Sequence, residues 1–270
     1  VRKRGRPAAI AAEVAGLRWL AAAHPGGGTA VARVTGHGTD WLETAHVDHA
    51  APDTAAAEDF GRSLARTHAA GAPFLGCAPP GVVGDGVMGR APLVLHADAA
   101  TAPAAWGEFY AADRLLPYLE GAVGNGSVDA AGARAIERCA ERVATGAFDA
   151  PQPGLVRTPA ARLHGDLWGG NVLWTRRAGP ADGATSAVEA VLIDPAAHGG
   201  HAESDLAQLT VFGSPYPDRV LAAYDEVSPL ADGWRERTGL HQLHMILVHA
   251  ALFGGGYGAH AVALARRYGG

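Results

Sequence analysis

Apolar residues recur at helical spacing over residues 8–23, where Ile10, Val14, Leu17 and Leu20 fall on one face. His24, Pro25 and three glycines break that pattern. Two short runs of β character follow, 29–34 and 40–47, separated by the turn-rich stretch 35–39. The polar segment 48–53, which contains Pro52, reads as a linker. Beyond it the spacing predicts helices over 55–70, 104–119, 129–145, 204–212, 217–227 and 239–253, and a short apolar run at 190–193 predicts a strand. No repeat of fixed period is apparent. The pattern therefore predicts an α+β chain, with a small mixed unit in 1–47 and a mainly helical part in 48–270.

Composition removes several function classes. The 270 residues are 48% hydrophobic and 18% charged with a formal net charge of -5, so no global basic field exists and nucleic acid is not the expected partner. Arg2, Lys3, Arg4 and Arg6 cluster at the start and read as a solvated edge. Cys77 and Cys139 form no C-x-x-C pattern, which argues against a disulfide scaffold or a cysteine zinc site and fits a reducing cytoplasm. No run reaches the roughly 18 apolar residues of a membrane span, and no secretory pattern opens the chain, so no membrane role and a cytoplasmic location are expected.

Two further patterns suggest chemistry that their context does not support. The segment at 84–89, GDGVMG, matches G-x-G-x-x-G, yet it lies amid Pro79, Pro80 and Pro92 and reads as turn glycines in an irregular connection. The pairs His198 and His201, and His241 and His244, lack the ligand number and spacing of a zinc site, so structural histidines are the expectation.

The chemistry concentrates in LHGDLWGGNVL, residues 163–173. Asp166 and Asn171 stand in the spacing D-x-x-x-x-N of a phosphotransferase loop, in which the acid accepts the proton of the attacking hydroxyl and the amide holds magnesium. The run ending in VLIDPA delivers a second acid, Asp194, to the same metal. His164 is placed to brace the loop and Gly165 to let it turn. Trp168 has two readings, stacking on an acceptor or packing between loop and protein body. Glu13 likewise either pairs with a preceding lysine or stays solvated on its helix.

LHGDLWGGNVLW followed by LIDPAAHGGHAESDLAQLTVFG resembles the fructosamine kinase (ketosamine-3-kinase) family, a branch of the protein-kinase-like fold related to aminoglycoside and choline phosphotransferases. AAEVAGLRWL, LARTHAAG, WGEFYAADRLLPYL and HQLHMILVHAALFGGGY extend the likeness over most of 12–257. The resemblance implies a two-lobed kinase-like fold that uses ATP and Mg2+ to phosphorylate a sugar hydroxyl of a ketosamine, a small-molecule or lysine-borne adduct. It implies Asp166 as the base and Asn171 and Asp194 as magnesium ligands. Glu13 would pair with the lysine on the ATP phosphates, for which Lys3, the only lysine in the sequence, is the candidate. Thr44, Ala45 and His46 would form the hinge against adenine, Trp168 and His249 would line the acceptor side, and Asp205 would brace the loop. Family members carry further strands and a glycine-containing phosphate loop ahead of the lysine strand, so the expectation for 1–47 is a shortened N-lobe remnant with helix and hinge.

Two alternatives stay open. One keeps the fold and changes the acceptor to an aminoglycoside or choline, which predicts a carboxylate-rich pocket where the C-terminal half is neutral and rich in histidine. The other is a non-catalytic nucleotide-binding relative, which the retained base and metal ligands argue against.

Overall fold

The computed structural model describes residues 1–177 and 187–270. The chain opens with β1 (Arg2–Arg4) and α1 (Pro7–Ala21), the proline standing at the first helical turn, where its missing N–H costs nothing. After β2 (Ala30–Val31) come β3 (Val34–His37) and β4 (Trp41–Thr44). β4 is the centre of a sheet in the order β1-β4-β3, antiparallel throughout, with Lys3 opposite Leu42. Ile10, Val14 and Leu17 of α1 pack on Leu42. That is the face the apolar spacing predicts.

Helix α2 (Thr54–Ala69) starts on an Asp53 side chain that accepts the Ala56 amide at 2.8 Å. The segment at 84–89 is not an irregular connection. Its second half is β5 (Gly86–Met88), which pairs antiparallel with β6 (Ala91–Leu93) in a short hairpin. Pro92 is accommodated because this two-stranded sheet leaves it on an edge.

The helix predicted at 104–119 is composite. α3 (Trp106–Phe109) passes through a π-helical stretch at Tyr110–Leu115 into α4 (Leu116–Gly124). Arg114 lies in that stretch, buried, with its guanidinium 4.5 Å from the Phe109 ring centroid and bonded to the Val94 carbonyl. α5 (Ala130–Ala144) is capped by Asp129. The remaining elements are β7 (Ala161–Leu163), β8 (Val172–Arg176), β9 (Val188–Leu192), β10 (His198–Gly200), α6 (Glu203–Gln208), α7 (Pro217–Val227), α8 (Trp234–Phe253) and α9 (Gly256–Gly269).

The strand predicted at 190–193 is the end of β9, which pairs antiparallel with β8, and their connection at 178–186 lies outside the described residues. β9 also pairs in parallel with β2, Ala30 opposite Val191, which ties the first part of the chain to the strand that precedes Asp194. The main core lies between the composite helix, α5, α8 and α9, and a second one lies under α2, α7 and the β8–β9 pair.

Candidate active site

β7 ends at Leu163 and hands the chain to the loop that carries Asp166. His164 is buried there. Its Nε2 donates to the Ile193 carbonyl at 2.9 Å and its Nδ1 accepts the Asp166 amide at 3.3 Å, which fixes a neutral tautomer. Burial pushes its pKa down, in the same sense. Gly165 has φ of 83°, and a Cβ at that position would collide with the Ala196 carbonyl oxygen, so the sharp turn requires glycine.

The loop's backbone is held from below by α6. Asp205 is fully buried, and its two oxygens accept the amides of His164 at 2.7 Å and Gly165 at 2.9 Å. His68 Nε2 donates to the same carboxylate at 3.2 Å, and its Nδ1 takes the Tyr224 hydroxyl at 2.8 Å. Burial alone would raise the Asp205 pKa, but the bonds from His68 and the loop amides outweigh it and the net direction is down. One turn along α6, Gln208 Oε1 accepts the Leu167 amide at 2.9 Å.

Asp166 is thereby presented on a fixed backbone. Burial, with smaller contributions from Asp205 and Asp194, pushes its carboxyl up to about 6 against the opposing hydrogen bond from Asn171. Asn171 Nδ2 donates to the Asp166 carbonyl at 2.8 Å and to its carboxylate at 3.1 Å. Oδ1 of that amide has no partner among the described residues. Asp194 follows the end of β9 with φ of 50°, a left-handed conformation that aspartate tolerates better than most residues. Its carboxylate is half-exposed and lies 3.5 Å from Lys3 Nζ. Asn171 Oδ1 and the Asp194 carboxylate make an all-oxygen donor set that suits a hard divalent ion.

Lys3 reaches from β1 to Glu13 on α1 at 2.8 Å. Burial disfavours its charge, but Glu13 and Asp194 more than offset this and raise its pKa. Glu13 therefore takes the paired role rather than the solvated one.

Three adjoining cavities meet at these residues. One of about 240 Å³ is walled by Leu17, Ala32, Leu42, Val47 and Leu173 and edged by Thr44, Ala45 and His46. In that edge the Ala45 amide is taken by the Arg33 carbonyl at 2.8 Å. A cleft of about 670 Å³ shares Lys3, Glu13 and Asp194 with this cavity and contains Asp166 and Asn171. A third, of about 310 Å³, shares Met88, Gly89, Asp166 and Trp168 with the cleft and is walled by Phe212, His249, Leu252, Phe253 and Tyr257.

Trp168 meets its packing reading, its ring edge-on to Phe212 at 5.9 Å, and it also lines the cleft and the third cavity. The His249 ring lies 4.8 Å from Phe212 and 5.1 Å from Tyr257, and its Nδ1 donates to the Met245 carbonyl. Gln208, His68, Phe212, Tyr257 and Arg90 were not singled out as site residues from the sequence, and Met88 and Gly89 fall in the segment read as turn glycines. The three-residue step from Asp205 to Gln208 on a predicted helix was the available signal for the brace. The aromatic wall had none, because its members come from separate segments.

The fructosamine kinase family model matches residues 1–268. The chain belongs to the fructosamine kinase family. A crystal structure from Thermobifida fusca, named as a candidate fructosamine-3-kinase, superposes with a TM-score of 0.79 at 42% identity, covering 95% of this chain and 78% of the other. A probable ketoamine kinase of Enterococcus faecium is 38% identical over 97 residues, 36% of this chain and 31% of that protein. The chloroplastic protein-ribulosamine 3-kinase of Oryza sativa is 31% identical over 212 residues, 77% of this chain and 53% of that protein. The alignments with these curated relatives thus span between about a third and a half of the relatives' own lengths.

Elsewhere, His201, Glu203 and His241 bring ligand-type atoms within 4.8 Å of one another. Their capacity is already used. Arg237 donates to both Glu203 oxygens at 2.6 and 2.9 Å, and His241 Nδ1 bonds the Ser204 hydroxyl. His201 is held through both ring nitrogens, by the Glu203 amide and the Ala150 carbonyl.

Proposed function

We propose that this chain is an ATP-dependent phosphotransferase that moves the γ-phosphoryl group to a sugar hydroxyl of a ketosamine, the adduct of a sugar on a lysine or a free amine, as a step in deglycation. The observation that carries the reading is the position of Asp166 at the junction of the cleft and the aromatic cavity, with Asn171 bonded to it and Asp194 and Lys3 on the nucleotide side.

In this reading adenine occupies the apolar cavity beside Thr44, Ala45 and His46, and Lys3, held by Glu13, contacts the phosphates. Asn171 Oδ1 and Asp194 hold Mg2+, which when bound offsets charge on the phosphates. Trp168 and His249 position the acceptor ring. Asp166 accepts the hydroxyl proton as the acceptor oxygen bonds to the γ-phosphorus and the bond to ADP breaks, and its raised pKa makes the carboxylate the stronger base this step needs. The proposal includes the two-lobed kinase-like arrangement, 1–47 serving the nucleotide and 48–270 carrying the chemistry, with the β2–β9 pairing as a tie between them.

A cytoplasmic setting accords with the unpaired, buried Cys77 and Cys139. Among the described residues no helix is long and apolar enough to cross a membrane. The acceptor cavity supports a ketosamine over a polycationic drug, since Asp166 is the only carboxylate lining it among the described residues.

ADP release with magnesium and ATP, compared across a fructosamine, a ribulosamine, an aminoglycoside and choline, tests the reading. Turnover with the ketosamines is expected. Preference for the aminoglycoside or choline would replace the acceptor, and nucleotide binding without transfer to any of them would favour a non-catalytic relative.

A further inference from the structure

Two arginines line the catalytic cleft without an ion pair or side-chain hydrogen bond among the described residues. Arg6 stands between β1 and α1, and Arg90 is at the turn between β5 and β6. Both are exposed. Their neighbours are engaged, Arg2 over the Trp41 ring and Arg4 with Asp40. Two guanidinium groups on one cleft without a partner among the described residues leave their planar donor forks open to an anion.

The surroundings decide which anion. The nucleotide-side cavity shares Lys3, Glu13 and Asp194 with the cleft but neither arginine. The aromatic cavity shares Met88 and Gly89, the two residues that immediately precede Arg90, together with Asp166 and Trp168. Arg90 therefore lies where an acceptor rather than the adenosine would pass, and Arg6 lines the same cleft outside the nucleotide-side cavity. We propose that Arg6 and Arg90 form an anion subsite for the acceptor, selecting ketosamines that carry a carboxylate, as when the amine belongs to a free amino acid. This rests on the kinase reading of the same site.

Two acceptors of nearly equal size test it, the fructosamine of glycine and that of glycinamide, which lacks the negative charge. Initial rates at saturating ATP should give a kcat/KM for the carboxylate about fivefold or more above that for the amide, the scale of a charge-assisted contact at a partly exposed site. In R90Q and in R6Q that ratio should fall towards one. Equal efficiency in the parent protein, or a ratio that survives both substitutions, overturns the subsite while leaving the kinase reading intact. A rise in the KM for ATP that is the same with both acceptors, at an unchanged ratio, overturns it in favour of a contact with the nucleotide phosphates. No transfer to either acceptor overturns the kinase reading, and the subsite with it.

Discussion

Asp166 owes its placement to residues that do no chemistry. The spacing to Asn171 and the apolar residues around it were legible in the sequence because loop and motif are contiguous. The support was legible only in part. Asp205 was expected to brace the loop, and it accepts the amides of His164 and Gly165, but His68 of α2, which bonds its carboxylate, and Gln208, one turn along α6, which holds the Leu167 amide, were not. An Asp205→Ala change leaves two amides and a histidine without their buried acceptor, at about 1–3 kcal/mol for each unmade bond. The expected outcome is a fall in thermal midpoint together with a loss of kcat of about tenfold or more from misplacement of the base. Calorimetry and initial rates check both. A variant with unchanged kcat would show that the brace does not set the geometry of Asp166.

Helices with strong spacing were read nearly as they stand, and α7 was read to the residue. The errors have separate physical causes. The hairpin of β5 and β6 is too short for alternation to register, and Pro92 within it and Pro79 and Pro80 before it suggested a loop. α9 was not anticipated because the glycines at 254–256 end one helix and begin another. α8 is buried without a break over 243–248, so periodicity marked its start poorly.

α8 and α6 are joined by Arg237, His241 and Glu203. Burial would raise the Glu203 pKa, but the hydrogen bonds from His241 and Arg237 outweigh it and hold it at about 2. A depressed carboxyl stabilises the fold above its unfolded pKa, and that contribution is lost as pH falls from the ordinary glutamate value of 4.5 towards 2. Glu203→Gln should therefore lower stability at pH 7 by about 2 kcal/mol, with the gap to the parent narrowing below pH 4.5. Urea midpoints across that range would show a constant gap if the charge were not responsible.

Across the whole molecule, the nucleotide-side cavity, the cleft and the aromatic cavity form a continuous path with Lys3 and Asp194 at one junction and Asp166 at the other. Local sequence pattern gave no sign of the parallel β2–β9 pairing, because two paired residues on each side carry no periodicity. Lys3→Met should raise the KM for ATP by about tenfold or more while changing the acceptor KM little, since the proposed reading puts the lysine on the nucleotide side of Asp166. An acceptor KM that rises by the same factor would contradict this division of labour.

The central claim, that Asp166 is the base of an ATP-dependent transfer to a ketosamine hydroxyl, is tested most directly by 31P NMR of a fructosamine incubated with magnesium, ATP and either the parent chain or Asp166→Asn. The account predicts a sugar phosphate resonance with the parent and a rate lower by about a hundredfold or more with the variant, whose circular dichroism spectrum is unchanged. A folded Asp166→Asn protein that forms the phosphate ester at the parent's rate would contradict it.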